Sequence, residues 1–553
     1  MSQAMKILVI GGVAAGASCA ARARRLCETA EITVLERGPD VSFANCGLPY
    51  HVGGEIPTRD LLAVQTPATL KGLLNLDVRT RCEAVRIDRA GKRVEAKNLV
   101  DGSSEWLSYD KLMLSPGAAP IRPPIPGIDD ARVFTLRSLE DMDRVIAATE
   151  AGMRAVAIGA GFIGLEMADQ LQRKGLSVEL VELQKQVLPQ LDAKMTMLLE
   201  SELRHHEIGV TLGDGIECFV PTPDALECHL KSGKVLKADF VVLSMGVKPD
   251  TQIARDAGLT LGPRGHIVVD HFQRTSDPDI YAAGDAVETA ELVFGDRIAL
   301  PMGGPANRQG RIAADHMLRP GAAQPYPGSL GTAIVRVFDV AAGVTGWTEK
   351  RMREANKPCA SVIVNDHQHA TYFPGARPLT LKLVWDTRDG RVVGAQATGS
   401  EGIDKRLDVI AASIQGKATI DDLCHLELAY APPFGSAKDI INLAGFAATN
   451  LRDGLFEQAG ELPFGDAQIV DVRPKPVADA FPLTGSINIP FPTLRANLDK
   501  LDRSKPVITV CAFGKMSYFA ARVLAQSGFD VKSFSGGIKG NIDPRSPAKL
   551  PTA

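Results

Sequence analysis

The sequence predicts an α/β protein of several domains, and three observations support this. Two segments, beginning at Lys6 and Ala155, each read as a buried strand, a glycine-rich turn, a helix and a second strand. Region 330–445 changes to alternating strands, and another strand, loop and helix follow Ala467. At about 150 residues per domain, 553 residues accommodate three to four domains, and these patterns favour four.

Charge and cysteine content exclude several classes of protein. There are 62 Lys+Arg against 65 Asp+Glu, without the basic excess typical of proteins that bind nucleic acids or membrane surfaces. The nine cysteines are odd in number and irregularly spaced, unlike a secreted disulfide framework. The apolar stretch from Ile7 to Ala21 is too short to span a bilayer and lacks signal-peptide features. We expect a cytoplasmic protein with reduced thiols and no nucleic-acid or membrane partner.

The first glycine-rich segment has the features of a dinucleotide site. Strand 6–10 precedes Gly11-Gly-Val-Ala-Ala-Gly16, and a helix through Leu26 leads to a strand that ends at Glu36. Glycines allow the backbone to approach a pyrophosphate at the start of a helix, and an acid about 20 residues further on accepts hydrogen bonds from a ribose. Val13 departs from the usual pattern, which has its second glycine there.

A second segment repeats this pattern with all three glycines, Gly159, Gly161 and Gly164, followed by Glu182 at the end of strand 178–182. A carboxylate at that position favours a free ribose 2′-hydroxyl and repels a 2′-phosphate, so NADH is preferred over NADPH. Two dinucleotide sites in one chain indicate electron transfer between two nucleotides, typically a flavin and a nicotinamide.

Ser115-Pro-Gly117 and Thr275 to Gly284-Asp285 complete an ordered set of four motifs that resembles the pyridine nucleotide-disulfide oxidoreductase family over roughly residues 5 to 450. The resemblance implies Rossmann-like FAD- and NAD-binding domains, with FAD at the first motif and the Gly-Asp pair and NAD(P)H at the second. The cofactor-binding residues it implies are Gly11, Gly12, Ala15, Gly16, Glu36, Arg37, Ser115, Gly117, Gly284 and Asp285 for FAD, and Gly159, Gly161, Gly164 and Glu182 for NAD(P)H.

The resemblance also implies the order of domains. The FAD-binding domain has two parts, 1–115 and 247–327, on either side of an NAD(P)H-binding domain at 116–246. An α+β dimerisation domain at 328–446, through which two subunits pair, precedes a linker at 447–462. A C-terminal α/β domain at 463–553 completes the chain.

Cys46, in Ser42-Phe-Ala-Asn-Cys46-Gly-Leu-Pro-Tyr50, is the candidate redox residue. Glutathione reductase-like relatives carry two cysteines here, whereas a single thiol must pair with an external thiol or cycle as a sulfenic acid. The segment closely resembles coenzyme A disulfide reductases. NADH oxidases and peroxidases of the family also use one cysteine, but they carry a histidine where this chain has Ala14, so we expect oxygen chemistry to be a side reaction.

Coenzyme A disulfide reductases also suggest residues that act on the substrate. In that family, tyrosines matching Tyr372 and Tyr430 reach the cysteine from the partner subunit, where a phenol can protonate a leaving thiolate. Cations match the phosphates of coenzyme A. The substrate-binding residues implied by the resemblance are Arg22, Ser42, Asn45, Lys71 and Arg308.

The C-terminal unit resembles a rhodanese domain, which carries sulfane sulfur as a cysteine persulfide. Its candidate carrier is Cys511, at the end of strand 506–510 and before a helix from Tyr518. Amides at a helix N-terminus stabilise a thiolate or persulfide anion. Met516 replaces the usual loop arginine and leaves Lys515 as the loop's cation, which argues against efficient sulfur transfer to cyanide. The other seven cysteines show no metal-site spacing, and we expect them to pack without binding a metal.

These features together predict a homodimeric, FAD-dependent, NADH-oxidising enzyme that reduces low-molecular-weight persulfides, disulfides or polysulfides. Coenzyme A persulfide is the favoured substrate, and the rhodanese domain supplies sulfane sulfur. Two other readings remain open at this point. One is a sulfurtransferase regulated by its flavoprotein half, and the other is a redox protein, either oxidase-like or a noncatalytic sensor in which Cys46 reports oxidation.

Overall fold

The computed structural model describes residues 4–460 and 465–541. They divide into two compact units, one of residues 4–183 and 214–329 and the other of 184–213 with everything described from 330 onward. Across the described ranges, no helix combines the length and apolar character needed to cross a bilayer.

The helices and strands up to residue 318 alternate as expected for nucleotide-binding domains. Those before residue 121 are β1 (Lys6–Ile10), α1 (Ala14–Leu26), β2 (Glu31–Leu35), α2 (Leu48–Val52), α3 (Pro67–Leu74), β3 (Asp77–Arg79), β4 (Cys82–Asp88), β5 (Arg93–Asn98), β6 (Ser104–Ser108), β7 (Lys111–Leu114) and β8 (Ala118–Pro120). Those up to residue 243 are β9 (Val133–Thr135), α4 (Leu139–Ala147), β10 (Arg154–Ile158), α5 (Phe162–Arg173), β11 (Ser177–Glu182), α6 (Ala193–His205), β12 (Gly209–Leu212), β13 (Ile216–Pro221), β14 (Leu226–Leu230), β15 (Val235–Ala238) and β16 (Phe240–Leu243). The next are β17 (Val247–Pro249), α7 (Gln252–Asp256), β18 (Ile267–Val268), β19 (Ile280–Ala282), β20 (Val287–Ala290), β21 (Arg297–Ile298) and α8 (Gly303–Leu318).

The remaining elements form the second half of the chain. The first group is β22 (Ala333–Val337), β23 (Val340–Gly346), α9 (Glu349–Glu354), β24 (Cys359–His367), β25 (Pro378–Asp386), β26 (Val392–Gly399), α10 (Ile403–Gln415), α11 (Ile420–Cys424) and α12 (Ile440–Arg452). The last group is β27 (Glu457–Ala459), β28 (Gln468–Asp471), α13 (Lys475–Ala480), β29 (Ser486–Asn488), β30 (Val507–Val510), α14 (Lys515–Gln526) and β31 (Val531–Phe534).

The first nucleotide-binding sheet is parallel, with strand order β19-β7-β1-β2-β3 and β1 at its centre. Successive side chains of β1 point to opposite faces, so Ile7 and Val9 join one core cluster while Leu8 and Ile10 join another. A central parallel strand is covered on both faces, which explains its uninterrupted apolar sequence. The buried strand ends at Ile10, and the first glycine turn begins directly after it at Gly11.

The second nucleotide-binding sheet repeats the arrangement with β11, β10, β16 and β9 in parallel order. Val156 and Ile158 of β10 pack in a core that includes Phe219 and Leu226 of the antiparallel β13-β14-β15 sheet. The end of β10 therefore places Gly159 at the start of the second turn.

Within the second unit, an antiparallel sheet has the order β22-β23-β26-β25-β24, which leaves β24 at one edge. Lys382 of β25 is buried and forms ion pairs with Asp192 at 2.6 Å and Glu349 at 2.7 Å. A buried cation needs such partners because desolvation of a lone charge is costly. The Asp192 ion pair joins the 184–213 segment to the sheet, and the Glu349 ion pair joins α9 to it.

The C-terminal sheet is parallel, with order β27-β31-β30-β28-β29. Neighbouring residues of β30 again divide between two faces, with Val507 in one core cluster and Ile508 in the other. Cys511 follows β30 directly and belongs to the same cluster as Val507.

The predicted linker at 447–462 contains regular secondary structure, namely the end of α12 and the strand β27. Helix α12 continues to Arg452 because its apolar face, with Ala444 and Ala448 buried, extends beyond the expected boundary. Strand β27 then pairs with β31 and joins the C-terminal sheet, a partnership that three residues of local sequence do not reveal. Residues 461 and 462 of that linker, and 463, 464 and 542–553 of the predicted last domain, lie outside the described residues.

The helix expected from Tyr518 begins three residues earlier, at Lys515. Gly514 occupies the N-cap position with φ of 92°, a left-handed conformation that glycine adopts without steric cost. The helix therefore starts within the Cys511 loop.

Candidate active site

Glu36, the acid of the first dinucleotide motif, accepts hydrogen bonds from the backbone of the first glycine turn and of Gly38. The N–H groups of Gly12 and Gly38 donate to the two carboxylate oxygens of Glu36 at 2.8 and 2.9 Å. A Cβ at Gly16 would lie 1.9 Å from the Gly11 carbonyl oxygen, so only glycine permits this approach of helix to turn. The turn thus forms a cradle that matches the adenosine half of a dinucleotide, with a carboxylate at the ribose position.

The other predicted FAD residues lie around the same end of the sheet. Ser115 Oγ donates to the carbonyl oxygens of Ile10 and Gly11 at 2.8 and 2.9 Å, and this joins the ends of β7 and β1. The Gly284 N–H donates to Gln309 Oε1 at 2.8 Å, which anchors the Gly-Asp pair on α8. Ala15 is buried in α1 beside Gly284.

Two charged residues at this end of the sheet, Asp285 and Arg137, are partly buried. Burial raises the pKa of the Asp285 carboxyl, and the Arg137 guanidinium opposes that rise. Arg137 Nη2 donates to the Pro116 carbonyl at 3.2 Å, beside Gly117. Arg37 forms ion pairs with Asp250 and Glu83 at 3.0 and 3.5 Å.

The second turn shows the same arrangement as the first. Glu182, which is buried, accepts a 2.7 Å hydrogen bond from the Ala160 N–H, and a Cβ at Gly164 would lie 1.8 Å from the Gly159 oxygen. A Cβ at Gly161 would meet no described atom within 4 Å, so there is open space where a pyrophosphate approaches this turn. The residues of both turns fit bound dinucleotides.

Cys46 lies in a short 3₁₀ turn, Asn45–Gly47, immediately before α2. The segment is tied to the first glycine turn by a hydrogen bond from the Ser42 N–H to the Gly12 oxygen at 2.9 Å. The residue is exposed, and its thiol contacts Asn45 Oδ1 at 3.8 Å. The sequence therefore places an accessible thiol on a segment anchored to the nucleotide turn.

Two nearby carboxylates, Glu166 and Asp285, contribute to the raised pKa of this thiol. Partial desolvation of the sulfur, followed by the charges of Glu166 and Asp285, raises the pKa of the Cys46 thiol. Glu166 also accepts a 3.0 Å hydrogen bond from the Tyr50 hydroxyl, which lies four residues beyond Cys46. The helix that begins at the second glycine turn thus contacts the cysteine segment through this pair.

The predicted coenzyme A cations are not joined to one another by hydrogen bonds or ion pairs between described residues. Arg22 pairs with Asp315 at 2.6 Å, so its charge is already matched by a carboxylate. Lys71 donates to Asn75 Oδ1 at 2.8 Å on α3, while Arg308 is exposed on α8. Their assignment to substrate binding stays a prediction.

In the second unit, the two predicted tyrosines are brought together. The hydroxyls of Tyr372 and Tyr430 are hydrogen-bonded at 2.8 Å although 58 positions separate them in sequence. This bond raises the pKa of Tyr372. Phe434, four residues after Tyr430, is 71% exposed, and Phe373, next to Tyr372 in sequence, is also exposed, so each tyrosine segment carries exposed aromatic side chains.

Cys511 is held very differently from Cys46. Its side chain is buried, and Sγ accepts hydrogen bonds from the N–H groups of Gly514 and Ser517 at 3.1 and 3.2 Å. Ser517 Oγ donates to the Gly514 oxygen at 2.8 Å and closes the loop. Lys515 and Met516 are exposed. Two amide donors at the start of a helix form a site that stabilises a sulfur anion.

All nine cysteines are free thiols. Cys19, Cys82 and Cys228 are buried, whereas Cys27, Cys218, Cys359 and Cys424 are partly buried. Burial raises the pKa of Cys19 and Cys228 to about 12, so these two remain protonated at neutral pH. The expectation that these seven residues pack rather than react is consistent with their surroundings.

Sequence reasoning missed three residues near these sites. Glu166 follows Gly164 by two positions, so its proximity to the motif was the available signal, whereas nothing in the sequence marks Arg137. Asn365 of β24 donates to the carbonyl oxygens of Phe513 and Gly536 at 3.2 and 2.7 Å, beside the Cys511 loop. No local pattern in the sequence predicts that contact.

Comparison with known proteins agrees with this arrangement. Models of the pyridine nucleotide-disulphide oxidoreductase family, its dimerisation domain and the rhodanese-like domain match residues 5–310, 332–439 and 457–541. A coenzyme A disulfide reductase of Staphylococcus aureus is 32% identical over 445 residues, 80% of this chain and 99% of the relative.

Two solved structures are similar over almost the whole chain. Reduced CoADR-RHD of Bacillus anthracis is 41% identical, with a TM-score of 0.94 and coverage of 98% of both chains. A NAD-dependent persulfide reductase of A. fulgidus is 40% identical, with a TM-score of 0.93 and coverage of 97% of this chain and 100% of that one. The chain therefore belongs to the pyridine nucleotide-disulphide oxidoreductase family, is an oxidoreductase that acts on sulfur groups, and carries the family's dimerisation domain followed by a rhodanese-like domain.

Proposed function

We propose that the protein is an FAD-dependent, NADH-oxidising reductase of coenzyme A persulfide that also accepts coenzyme A disulfide or polysulfide. The observation that carries the proposal is the presence of two different sulfur sites. Cys46 is exposed on a segment anchored to the first glycine turn, whereas Cys511 is buried with two amides on its sulfur. The names of the relatives, coenzyme A disulfide reductase and NAD-dependent persulfide reductase, support the same substrate class.

The proposed step at Cys46 is thiol–disulfide exchange. The Cys46 thiolate attacks the sulfur attached to coenzyme A, a Cys46–coenzyme A disulfide forms, and hydrosulfide leaves with a proton. FAD, which the residues of the first glycine turn and the Gly284-Asp285 pair would hold, would supply the electron pair from NADH that returns Cys46 and coenzyme A as thiols. NADH, a proton and coenzyme A persulfide thus yield NAD⁺, coenzyme A and hydrogen sulfide.

The protein's own groups have separate roles in this proposal. Tyr430, hydrogen-bonded to Tyr372, donates a proton to the departing sulfur of the other subunit's reaction in a homodimer. The exposed aromatic side chains of the two tyrosine segments support a surface that is covered in the dimer. Glu182 supports NADH over NADPH because its carboxylate lies at the second turn. Cys511 carries sulfane sulfur toward coenzyme A.

Steady-state assays on the purified protein separate this proposal from the alternatives. We expect rapid NADH consumption with coenzyme A persulfide, slower consumption with oxygen, and weak thiocyanate formation from thiosulfate and cyanide. Thiocyanate formation that outpaces NADH consumption would instead identify a sulfurtransferase. Equal rates with oxygen and with sulfur substrates would identify an oxidase, and absence of turnover would leave a sensor.

A further inference from the structure

We infer that Asn365, a residue of the dimerisation domain, is a positioning residue for the Cys511 loop, so that the sulfur-carrying site is assembled from two domains of the chain. The inference rests on the proposed role of Cys511 as a sulfur carrier and adds a residue outside the rhodanese-like domain to that site. Asn365 lies on strand β24, at the edge of its sheet.

Alternate residues of β24 contact the C-terminal domain along one side. Gln458 Nε2 donates to the Ser361 oxygen at 3.2 Å, and a Cβ at Gly536 would lie 2.7 Å from Ile363 Cγ2. The Ser361 contact uses its backbone oxygen, whereas Ile363, Asn365 and His367, spaced two residues apart, make contact through their side chains. A spacing of two places side chains on the same face of a strand, so this is one continuous docking face.

Asn365 makes the most specific contact on that face. Its Nδ2 donates to the carbonyl oxygens of Phe513 and Gly536, one in the Cys511 loop and one in the Gly-Gly turn beside it. The side chain is buried, and Thr380 Oγ1 donates to its Oδ1 at 2.6 Å, which fixes the orientation of the amide. A buried amide with all these partners satisfied holds both carbonyls in place.

The contact reaches the sulfur through a short path. Phe513 lies between Cys511 and Gly514, whose N–H donates to Sγ, and the ring of Phe513 stacks on His367 with centroids 5.9 Å apart. Lys539 Nζ lies 5.1 Å from the centroid of the Phe513 ring, and burial lowers the pKa of Lys539 to about 8. A loop anchored at Phe513 keeps the Gly514 amide directed at the sulfur.

The test measures alkylation of Cys511 by iodoacetamide in the full-length holoenzyme, with peptide mass spectrometry and a pH series. The plateau rate at high pH reports access to the thiol, whereas the position of the profile reports stabilisation of the thiolate. Asn365→Asp preserves shape but removes the donor, and Asn365→Ala removes the side chain. Thr398→Val is the matched control, because Thr398 is buried in β26, two strands from β24 in the same sheet, and its hydroxyl has no partner among the described residues.

We expect both Asn365 variants to move the Cys511 profile to higher pH and to slow alkylation at neutral pH relative to the plateau by about fivefold. Thr398→Val should leave the profile in place, and NADH turnover with coenzyme A disulfide should stay within about twofold in all three variants. An unchanged profile in both Asn365 variants, or an equal shift in Thr398→Val, overturns the inference. The profile is read without turnover, so a wild-type protein that fails to reduce sulfur substrates would overturn the proposed function and leave this result intact.

Discussion

Cys46 and Cys511 show two ways of presenting sulfur within one chain. Cys46 is exposed in a short turn, and partial desolvation together with neighbouring carboxylates raises its pKa, whereas Cys511 is buried and receives two backbone N–H donors. An exposed thiol admits a bulky substrate, but it needs help from other groups to ionise or to expel a leaving group. A buried sulfur that accepts backbone hydrogen bonds is stabilised as an anion, but substrates reach it less easily. The difference supports exchange with a small molecule at Cys46 and storage of sulfane sulfur at Cys511.

The largest expected effect follows the loss of the accessible thiol. Cys46→Ser should lower NADH-dependent reduction of coenzyme A persulfide by at least about 1,000-fold, because serine cannot form the mixed disulfide. FAD should remain bound, as measured by visible absorbance of the purified protein. Cys27→Ser, a change at a partly buried thiol, should retain activity. Substantial turnover in Cys46→Ser would remove Cys46 from the mechanism.

The next effect concerns proton supply at the accessible site. Tyr430→Phe should reduce kcat for coenzyme A persulfide by about 30-fold, because removal of the hydroxyl deletes the proposed proton donor. The change also breaks the bond to Tyr372, so the pH dependence of kcat should be measured alongside it. Phe434→Leu tests whether any loss of an exposed aromatic in this loop has the same result. Similar losses in both variants would indicate packing rather than proton transfer.

Cys511→Ser should show whether Cys511 stores sulfane sulfur or is needed for the reduction at Cys46. We expect about a tenfold loss of NADH turnover with polysulfide and less than about a twofold loss with coenzyme A persulfide, since the latter reaches Cys46 without a carrier. Ser533→Ala, a change at a buried residue of the same sheet, controls for packing. Equal losses with both substrates would contradict the carrier role.

The smallest effect tests the carboxylate beside the accessible thiol. Glu166→Gln removes a negative charge that disfavours the thiolate, so the pKa of Cys46 should fall and its alkylation profile should move to lower pH. Alkylation of Cys46 at neutral pH should become about threefold faster. Glu31→Gln, at an exposed position of β2, should leave the profile unchanged. A shift to higher pH in Glu166→Gln would show that the Tyr50 contact outweighs the charge.

Sequence reasoning succeeded where a function depends on residues close together in the chain. The glycines and acids of both turns follow a local pattern, and the structure places Glu36 and Glu182 on the amides of Gly12 and Ala160. Local pattern was sufficient in these cases because the strand, turn and helix are consecutive.

Reasoning from sequence failed where two distant segments meet. Asn365 contacts Phe513 and Gly536 across 148 and 171 positions, and β27 becomes a strand only through its partner β31. Glu166 reaches the Cys46 segment through Tyr50, 116 positions away. Such contacts depend on how sheets and helices pack together, and local sequence patterns do not predict that packing.

The alternating contacts of β24 also bear on how this chain tolerates length changes. The side chains of Ile363, Asn365 and His367 face the C-terminal domain only while their alternation along the strand is kept. Inserting or deleting one residue within β24 would turn the opposite side of the strand toward that domain. Fusions that exchange the rhodanese-like domain between relatives therefore need junctions after His367, and library designs should vary the loop before Cys359 rather than the strand itself.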